Sequence, residues 1–372
     1  MSILRSDVLC PSCLEKLSSK DLLLTCSKCG YTVTPPRFRL FSRGAIPCNA
    51  PGCKGFATNR KCGKCLADLP ADIMDYEKYL RFSIVGITGA GKTNFLTAML
   101  HELRNTPGNP WVTSPMNDQT ARNFNDNDKM IFADNMPVAA TNRGEIEPQL
   151  WRIKDKSRMT NTTIPSYSMT IFDGAGEDCE DIENADEKIK RYIRESKALV
   201  ILIDPLALPN IEAKVSPDIL KWSVTSSHGS NASGDMVQGL ADYIRKACGI
   251  APGKLIDRDV AIVFTKIDAL WNDFKGGYVT QTSPHLARKA FVKSDADAVD
   301  AEIRSWLEDS GENFFLDAVD TNFSKNRLKY FGVSSFGQPP KGNQRLAKVT
   351  PHRVLDPLIW MFSKEGIVPV VN

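Results

Sequence analysis

The sequence predicts an α/β fold, a three-layer arrangement around a mostly parallel sheet, preceded by a small cysteine-rich β domain. Three observations carry this. Eight of the ten cysteines lie in four close pairs between residues 10 and 65. The apolar run "YLRFSIV" leads into the glycine-rich "GITGAGKTNF" and then into a helical stripe. Three later strand-like runs end in small or acidic residues, which is where a doubly wound sheet presents its ligand site.

Bulk properties agree with a globular chain. The 372 residues leave room for about two or three domains. The hydrophobic share is 42% and the charged share 24%, ordinary for a packed core. A net charge of +3 makes no global claim on nucleic acid or membrane. No stretch approaches the roughly 18 apolar residues of a membrane span. The opening "MSILRSDVLCPSC" has no basic segment followed by an apolar core, so it does not read as a secretory signal. A cytoplasmic setting is therefore expected, and clustered cysteines in a reducing compartment point to metal.

The pairs are Cys10-x2-Cys13, Cys26-x2-Cys29, Cys48-x4-Cys53 and Cys62-x2-Cys65. A two-residue spacing folds into a turn that aims both sulfurs at one point, and two such turns complete a tetrahedral thiolate cage suited to zinc. Taken in sequential order they predict one site from Cys10, Cys13, Cys26 and Cys29, and another from Cys48, Cys53, Cys62 and Cys65. Each would resemble a zinc ribbon. Thioredoxin-type redox chemistry needs a βαβ setting that is missing here. Disulfides are the other rival, disfavoured by compartment. Four thiolates leave no open position, so both sites read as structural. Residues 1–70 carry eleven Lys/Arg against four Asp/Glu, a formal +7. Two zinc tetrathiolates would lower this by about 2 each. Arg37, Arg39 and Arg43 in "PPRFRLFSRG" alternate with apolar residues. They read as one charged strand face; a contact with RNA or an acidic protein is the less favoured alternative.

Gly86-x4-Gly91-Lys92-Thr93 fits a phosphate-binding loop between a strand at 79–85 and a helix whose Phe95, Leu96, Met99, Leu100 and Leu103 make one stripe. Backbone amides across Gly86, Thr88, Gly89, Ala90, Gly91 and Asn94 would wrap phosphates at the helix N-terminus. Lys92 would reach the outer phosphates and Thr93 would hold magnesium. The strand of "SMTIFDGAGED" ends in Asp173, placed for magnesium, with Gly176 placed for a backbone contact to a γ-phosphate. "VAIVFTKIDAL" ends in Thr265, Lys266 and Asp268. A carboxylate there accepts two guanine N–H groups that adenine does not offer, and the lysine stem covers the base. "KYFGVSSFG" ends in Ser334 and Ser335, near the base oxygen.

With four motifs in this order, the chain resembles a TRAFAC-class P-loop GTPase over about residues 79–364. The likeness is greatest to bacterial GTPase proteins of the double-GTPase kind, often encoded beside conflict or defence genes, and "DGAGED" and "HRVLDPLIWMF" support that placement. The resemblance implies a Ras-like three-layer P-loop fold over residues 76–372, GTP/GDP and Mg2+ as ligands, and a nucleotide switch with protein partners encoded nearby. It makes Asp173 the switch aspartate and Lys266 and Asp268 the guanine readers. Glu177 stands where many small GTPases carry glutamine, and Thr88 where glycine is common. Both predict slow intrinsic hydrolysis. Gly89 stands where potassium-activated relatives have asparagine, so that route is not supported.

Thr141 is the choice for the first-switch threonine, with Thr160, Thr162 and Thr163 as rivals. Arg143 and Arg158 are candidate arginine fingers, more simply read as solvated. Cys179 reads as an inert thiol. His101, His228, His285 and His352 read as structural or surface residues. Long connections are expected at 105–147, 205–235 and 272–325, the last largely helical, and the acidic patterns "NFNDNDKM" and "SDADAVDAE" as solvated helix faces. Val354, Leu355, Leu358, Ile359 and Phe362 predict a closing core helix that stops near Gly366. Three further readings stay open: an RNA- or ribosome-associated factor using the zinc ribbons, a non-hydrolysing nucleotide-bound scaffold, and an ATPase, which Asp268 disfavours.

Overall fold

In the computed structural model, residues 8–33, 46–139, 148–174, 182–220, 231–274, 276–340 and 345–372 are described. The front module is an antiparallel sheet of short strands: β1 (Leu22–Cys26), β2 (Thr32–Val33), β3 (Ile46–Pro47), β4 (Phe56–Cys62) and β5 (Asp68–Leu69). Its order is β2-β1-β4-β3, with β5 on β4. The long β1–β4 pairing runs from Leu22 opposite Cys62 to Cys26 opposite Ala57. "PPRFRLFSRG", with Arg37, Arg39 and Arg43, lies outside the described residues.

Continuous apolar runs build the main sheet from β6 (Lys78–Val85), β7 (Trp111–Pro115), β8 (Gln149–Asp155), β9 (Ser166–Asp173), β10 (Ala198–Ile203), β11 (Asp259–Phe264) and, past the two-residue β12 (Phe291–Val292), β13 (Leu328–Gly332). All six residues of β10, "ALVILI", are buried. A strand covered on both faces needs layers on both sides, so it carries an unbroken apolar run rather than an alternating one. The order is β13-β11-β10-β6-β9-β8-β7. Five neighbours run parallel, β13 to β9, and β8 is antiparallel to both β9 and the edge strand β7. The fold is therefore mixed α/β with a mostly parallel sheet.

Register places the carboxyl ends of the parallel strands along one edge. Asp173 lies opposite Ile84, Ile201 opposite Val85, Ile203 opposite Phe264, and Phe264 opposite Gly332. β6 is central, with β9 on one side and β10 on the other, so the connections diverge there and open a crevice at the carboxyl edge.

Seven helices of eight or more residues surround the sheet among the described residues: α1 (Lys92–Asn105), α2 (Asp118–Asp128), α3 (Glu187–Glu195), α4 (Ala232–Cys248), α5 (Lys293–Ser310), α6 (Asn313–Asp320) and α7 (Asp356–Lys364). Side-chain caps start two of them: Asn117 accepts from the Thr120 amide at 2.8 Å, and Asp186 from the Lys188 amide at 2.7 Å. Helix α7 buries Leu358, Ile359 and Phe362 as its stripe predicts, and Gly366 follows at φ 64°. The C-terminal β14 (Val370–Val371) pairs with β12.

The connection expected over 105–147 does more than connect. It adds β7 to the sheet edge, then α2 and a π-helical turn at Lys129–Ala133. The stretch 272–325 is largely helical, and its Val299, Ile303 and Leu307 enter the core. The acidic patterns lie on α2 and α5. Asp297 pairs with Lys329 at 2.8 Å, and Asp300 accepts the Tyr330 amide at 2.7 Å. Thr160, Thr162 and Thr163 lie between β8 and β9, at the amino end of β9 and away from the crevice. There Thr160 and Thr163 hydrogen-bond each other at 2.7 Å. Arg158 lies there too, donating to the Tyr167 hydroxyl at 3.1 Å.

Candidate functional site

The crevice is built first by the turn between β6 and α1. Gly86 abuts β10: a Cβ on it would meet the Leu202 carbonyl oxygen at 2.6 Å. Gly91, at φ 80°, caps α1 in a left-handed conformation open to glycine at low cost. Lys92 is buried, its Nζ donating to the Gly86 and Ile87 carbonyls at 2.6 and 3.1 Å. Thr88 and Gly89 stand half-exposed at the crest, and Ala90 is buried beneath. Asn94 is committed away from this loop. Its side chain accepts from the Val138 amide at 2.9 Å and donates to the Val138 carbonyl at 3.3 Å.

Strand β9 delivers Asp173 to the first turn of α1. Thr93 Oγ1 donates to Asp173 Oδ2 at 3.1 Å, and Asp173 Oδ1 is buried without a hydrogen-bond partner. Burial pushes the Asp173 carboxyl up to about 6, against the Lys92 charge and the Thr93 hydroxyl, which pull it down. An orphaned buried carboxylate oxygen beside a threonine hydroxyl fits a hard divalent cation with oxygen ligands. Thr141, Arg143, Gly176, Glu177, Cys179 and His228 lie outside the described residues.

β11 and β13 supply the other half. Thr265 Oγ1 donates to the Ala90 carbonyl at 2.9 Å, tying β11 to the glycine-rich loop. Lys266 adopts the left-handed region at φ 53°. Its Nζ spans to the Gly89 carbonyl at 3.0 Å and to Asp204 Oδ2 at 2.6 Å. Asp204, buried at the end of β10, also accepts the Leu206 amide at 3.0 Å. Asp268 receives the Ser334 hydroxyl. That hydroxyl oxygen accepts the Gly337 and Phe336 amides at 2.7 and 3.3 Å, which aims its proton at the carboxylate. Burial raises the Asp268 carboxyl above its ordinary range, with Ser334 the first group opposing it. Ser335 lies next in the turn, half-buried.

Two residues here escaped the sequence reading as site members. Asp204 ends an apolar strand as Asp173 does, and that shared pattern was the available signal. His352 exchanges backbone hydrogen bonds with Ser334 at 2.8 and 3.0 Å, and its Nε2 bonds the Val279 carbonyl at 2.7 Å. It thus clamps the Ser334 turn, and burial holds its pKa below the usual histidine value. Of the other histidines, His101 bonds Asp128 at 2.6 Å, while buried His285 sits 3.8 Å from both Asp295 and Asp356. Arg353 closes on the same two carboxylates, making that group an ion-pair network.

The cysteines converge in two tetrads, grouped otherwise than in sequence order. One comprises Cys10, Cys13, Cys62 and Cys65, the other Cys26, Cys29, Cys48 and Cys53. The cause is the antiparallel β1–β4 pairing: Leu22 opposite Cys62 carries the last cysteine pair back to the first, leaving the middle pairs at the other end. The sequential assignment is corrected accordingly. Neighbouring sulfurs stand 3.7 and 3.8 Å apart in each tetrad. A tetrahedral ion with Zn–S bonds of about 2.3 Å requires sulfurs about 3.8 Å apart, far beyond a disulfide bond. Amides of Lys28, Ala50, Gly55 and Lys64 each donate at 3.4 Å to the cysteine two residues before. Backbone bonds, led by that of Cys29, draw the Cys26 thiol down to about 7, while burial raises Cys10. The donor set and spacing fit zinc.

No protein-family model matches the sequence, and no curated protein matches it. Among solved structures, the chain is similar to the Ski7 GTPase-like domain of S. cerevisiae bound to GDP and inorganic phosphate. The identity is 13% and the TM-score 0.36, over 78% of this chain and 51% of that one. It is similar to the GTP-bound form of that domain at 13% identity and TM-score 0.36, over 81% and 53%. For the signal recognition particle receptor SRb-GTP/SRX complex from Chaetomium thermophilum the figures are 13% and 0.30, over 72% and 96%. The chain spans about half the length of the two Ski7 chains. Similarity at this level carries no argument about function. No helix among the described residues is long and apolar enough to cross a membrane.

Proposed function

We propose that the chain is a guanine-nucleotide-binding switch and slow GTPase, with a front module stapled by two zinc ions. One observation carries the reading. The Thr93–Asp173 and Asp268–Ser334 pairs stand at opposite ends of one crevice, and Lys266 spans from the second to the glycine-rich loop. A phosphate cradle with a cation site at one end and a base-reading carboxylate at the other matches a nucleoside triphosphate. The acid at 268 selects guanine through its two N–H groups. The sheet, parallel in direction but for β8, supports the Ras-like reading of the resemblance.

Thr93 and Asp173 would hold magnesium, which when bound neutralises phosphate charge. Loop amides from Gly86 to Asn94 and the α1 N-terminus hold the phosphates. Lys92 leaves the Gly86 and Ile87 carbonyls to meet the outer phosphates. Lys266 packs its stem along the base while its Nζ stays fixed by Asp204 and Gly89. In hydrolysis the oxygen of water bonds the γ-phosphorus, the bond to the β,γ-bridging oxygen breaks, and GDP leaves with phosphate. Glu177 is a poor partner for that water, so turnover is slow until a partner supplies charge. Thr141 and Gly176 complete the switch by holding the γ-phosphate side. The partner would be a protein, encoded nearby in a bacterial multi-component conflict or defence system as the resemblance implies. The front module is the adaptor.

The test is Asp268→Asn. An asparagine presents an N–H where the carboxylate accepted one, so preference should pass from GTP to XTP. Charge-assisted hydrogen bonds are worth about 1.5–3 kcal/mol each, so GTP affinity should fall by roughly a hundredfold or more. Unchanged preference refutes guanine reading at this position.

A further inference from the structure

The front module touches the crevice through one short relay. Phe172, the residue before Asp173, stacks flat on Tyr192 of α3, with ring centroids 4.3 Å apart and planes 8° from parallel. The buried Tyr192 hydroxyl donates to the Pro11 carbonyl, inside the turn between Cys10 and Cys13. Beside it Arg191 pairs with Glu15 at 2.9 Å, and Glu15 pairs with Lys64 at 3.2 Å, between Cys62 and Cys65. The turn's own Leu14, left-handed at φ 56°, is buried in the core of the main sheet rather than in that of the module.

From this continuity we propose that the Cys10–Cys13–Cys62–Cys65 zinc site is coupled to the nucleotide crevice through Phe172, Tyr192 and Pro11. Among the described residues no such path reaches the second tetrad, which serves as an independent staple. The proposal rests on the nucleotide reading above. Phe172 directly precedes Asp173 and stacks on Tyr192, so a bound cation and triphosphate that fix Asp173 also fix the ring against which α3 packs. A fixed α3 keeps Tyr192 on Pro11 and Leu14 in the core, and the cysteine turn opens less often. By linkage, zinc in this tetrad favours the triphosphate form to the same degree. The two ion pairs are half-exposed and contribute little alone. The buried hydroxyl contact is the selective element, because it exists only while α3 and the turn keep their spacing.

The experiment uses the full zinc-loaded chain, charged with GDP or with a non-hydrolysable GTP analogue, and nucleotide retention is measured in each sample. A zinc chelator and an isotope-coded alkylating reagent are added, and peptide mass mapping follows each cysteine. Cys13 and Cys65 should be alkylated about fivefold more slowly with the GTP analogue than with GDP, the ratio one net hydrogen bond supplies. Cys29 and Cys48 should show no difference. Tyr192→Phe, which keeps the ring stack and removes the donor, should erase the difference at Cys13 and Cys65. Retained nucleotide with equal or inverted rates at Cys13 and Cys65 overturns the coupling alone. Failure to retain either guanine nucleotide overturns the nucleotide reading and the coupling with it.

Discussion

Asp204→Asn separates the positioning of Lys266 from its contact with a base. Asp204 makes two uses of its carboxylate: Oδ2 meets Lys266 Nζ at 2.6 Å, and Oδ1 accepts the Leu206 amide at 3.0 Å. Asparagine keeps an oxygen for the Leu206 amide, so that hydrogen bond survives and the charge alone is lost. Removing one partner of a buried ion pair costs about 3–5 kcal/mol. The Lys266 side chain is 25% exposed against 3% for Asp204, so the stranded ammonium recovers some water. The lower figure, about 3 kcal/mol, is therefore expected. At about 2–4 °C per kcal/mol for a domain of this class, the melting temperature should fall by roughly 6–12 °C. GDP affinity should drop about tenfold, since the lysine stem is no longer held over the base and the Gly89 carbonyl loses its fixed donor. Differential scanning fluorimetry and fluorescent-nucleotide titration read the two effects. If both stay unchanged, the ion pair does not organise the crevice and the reasoning fails.

Three other outcomes follow from the same geometry. Serine at Cys10, Cys13, Cys26 and Cys29 together should abolish zinc binding by breaking both tetrads, whereas serine at Cys10, Cys13, Cys62 and Cys65 should leave one equivalent, read by elemental analysis. One equivalent in the first variant would restore the sequential grouping. GDP affinity should weaken on acidification from above the ordinary carboxylate range, because burial raises Asp268 and binding guanine needs its ionised form. Proton uptake at a raised pKa favours the free fold as pH falls and opposes the base, so XTP binding to Asp268→Asn should lack this leg. Asn94→Ala should release the Val138 backbone, seen as faster amide exchange over residues 134–139, with GDP affinity unchanged within about twofold.

The sequence displayed much of this protein because its chemistry-bearing residues follow apolar runs. Asp173 ends β9, Thr265 to Asp268 follow β11 and Ser334 follows β13, and strand ends are legible from composition. The cysteine pairs were equally legible as pairs. Their grouping was not, since it depends on the register of β1 against β4, where Leu22 meets Cys62. No local pattern encodes that partner. The side-chain partner of Asn94 was hidden for a related reason: its place in the loop motif is local, but Val138 is 44 residues away. Asp204 and His352 act on Lys266 and Ser334 across the sheet, so their role emerges only once β10, β11 and β13 lie side by side.

Isothermal titration of the purified chain with GDP and with ADP, each with magnesium, tests the central claim most directly. GDP should bind one to one, and ADP should give no measurable heat of binding. Saturable ADP binding with no response to GDP would contradict the account.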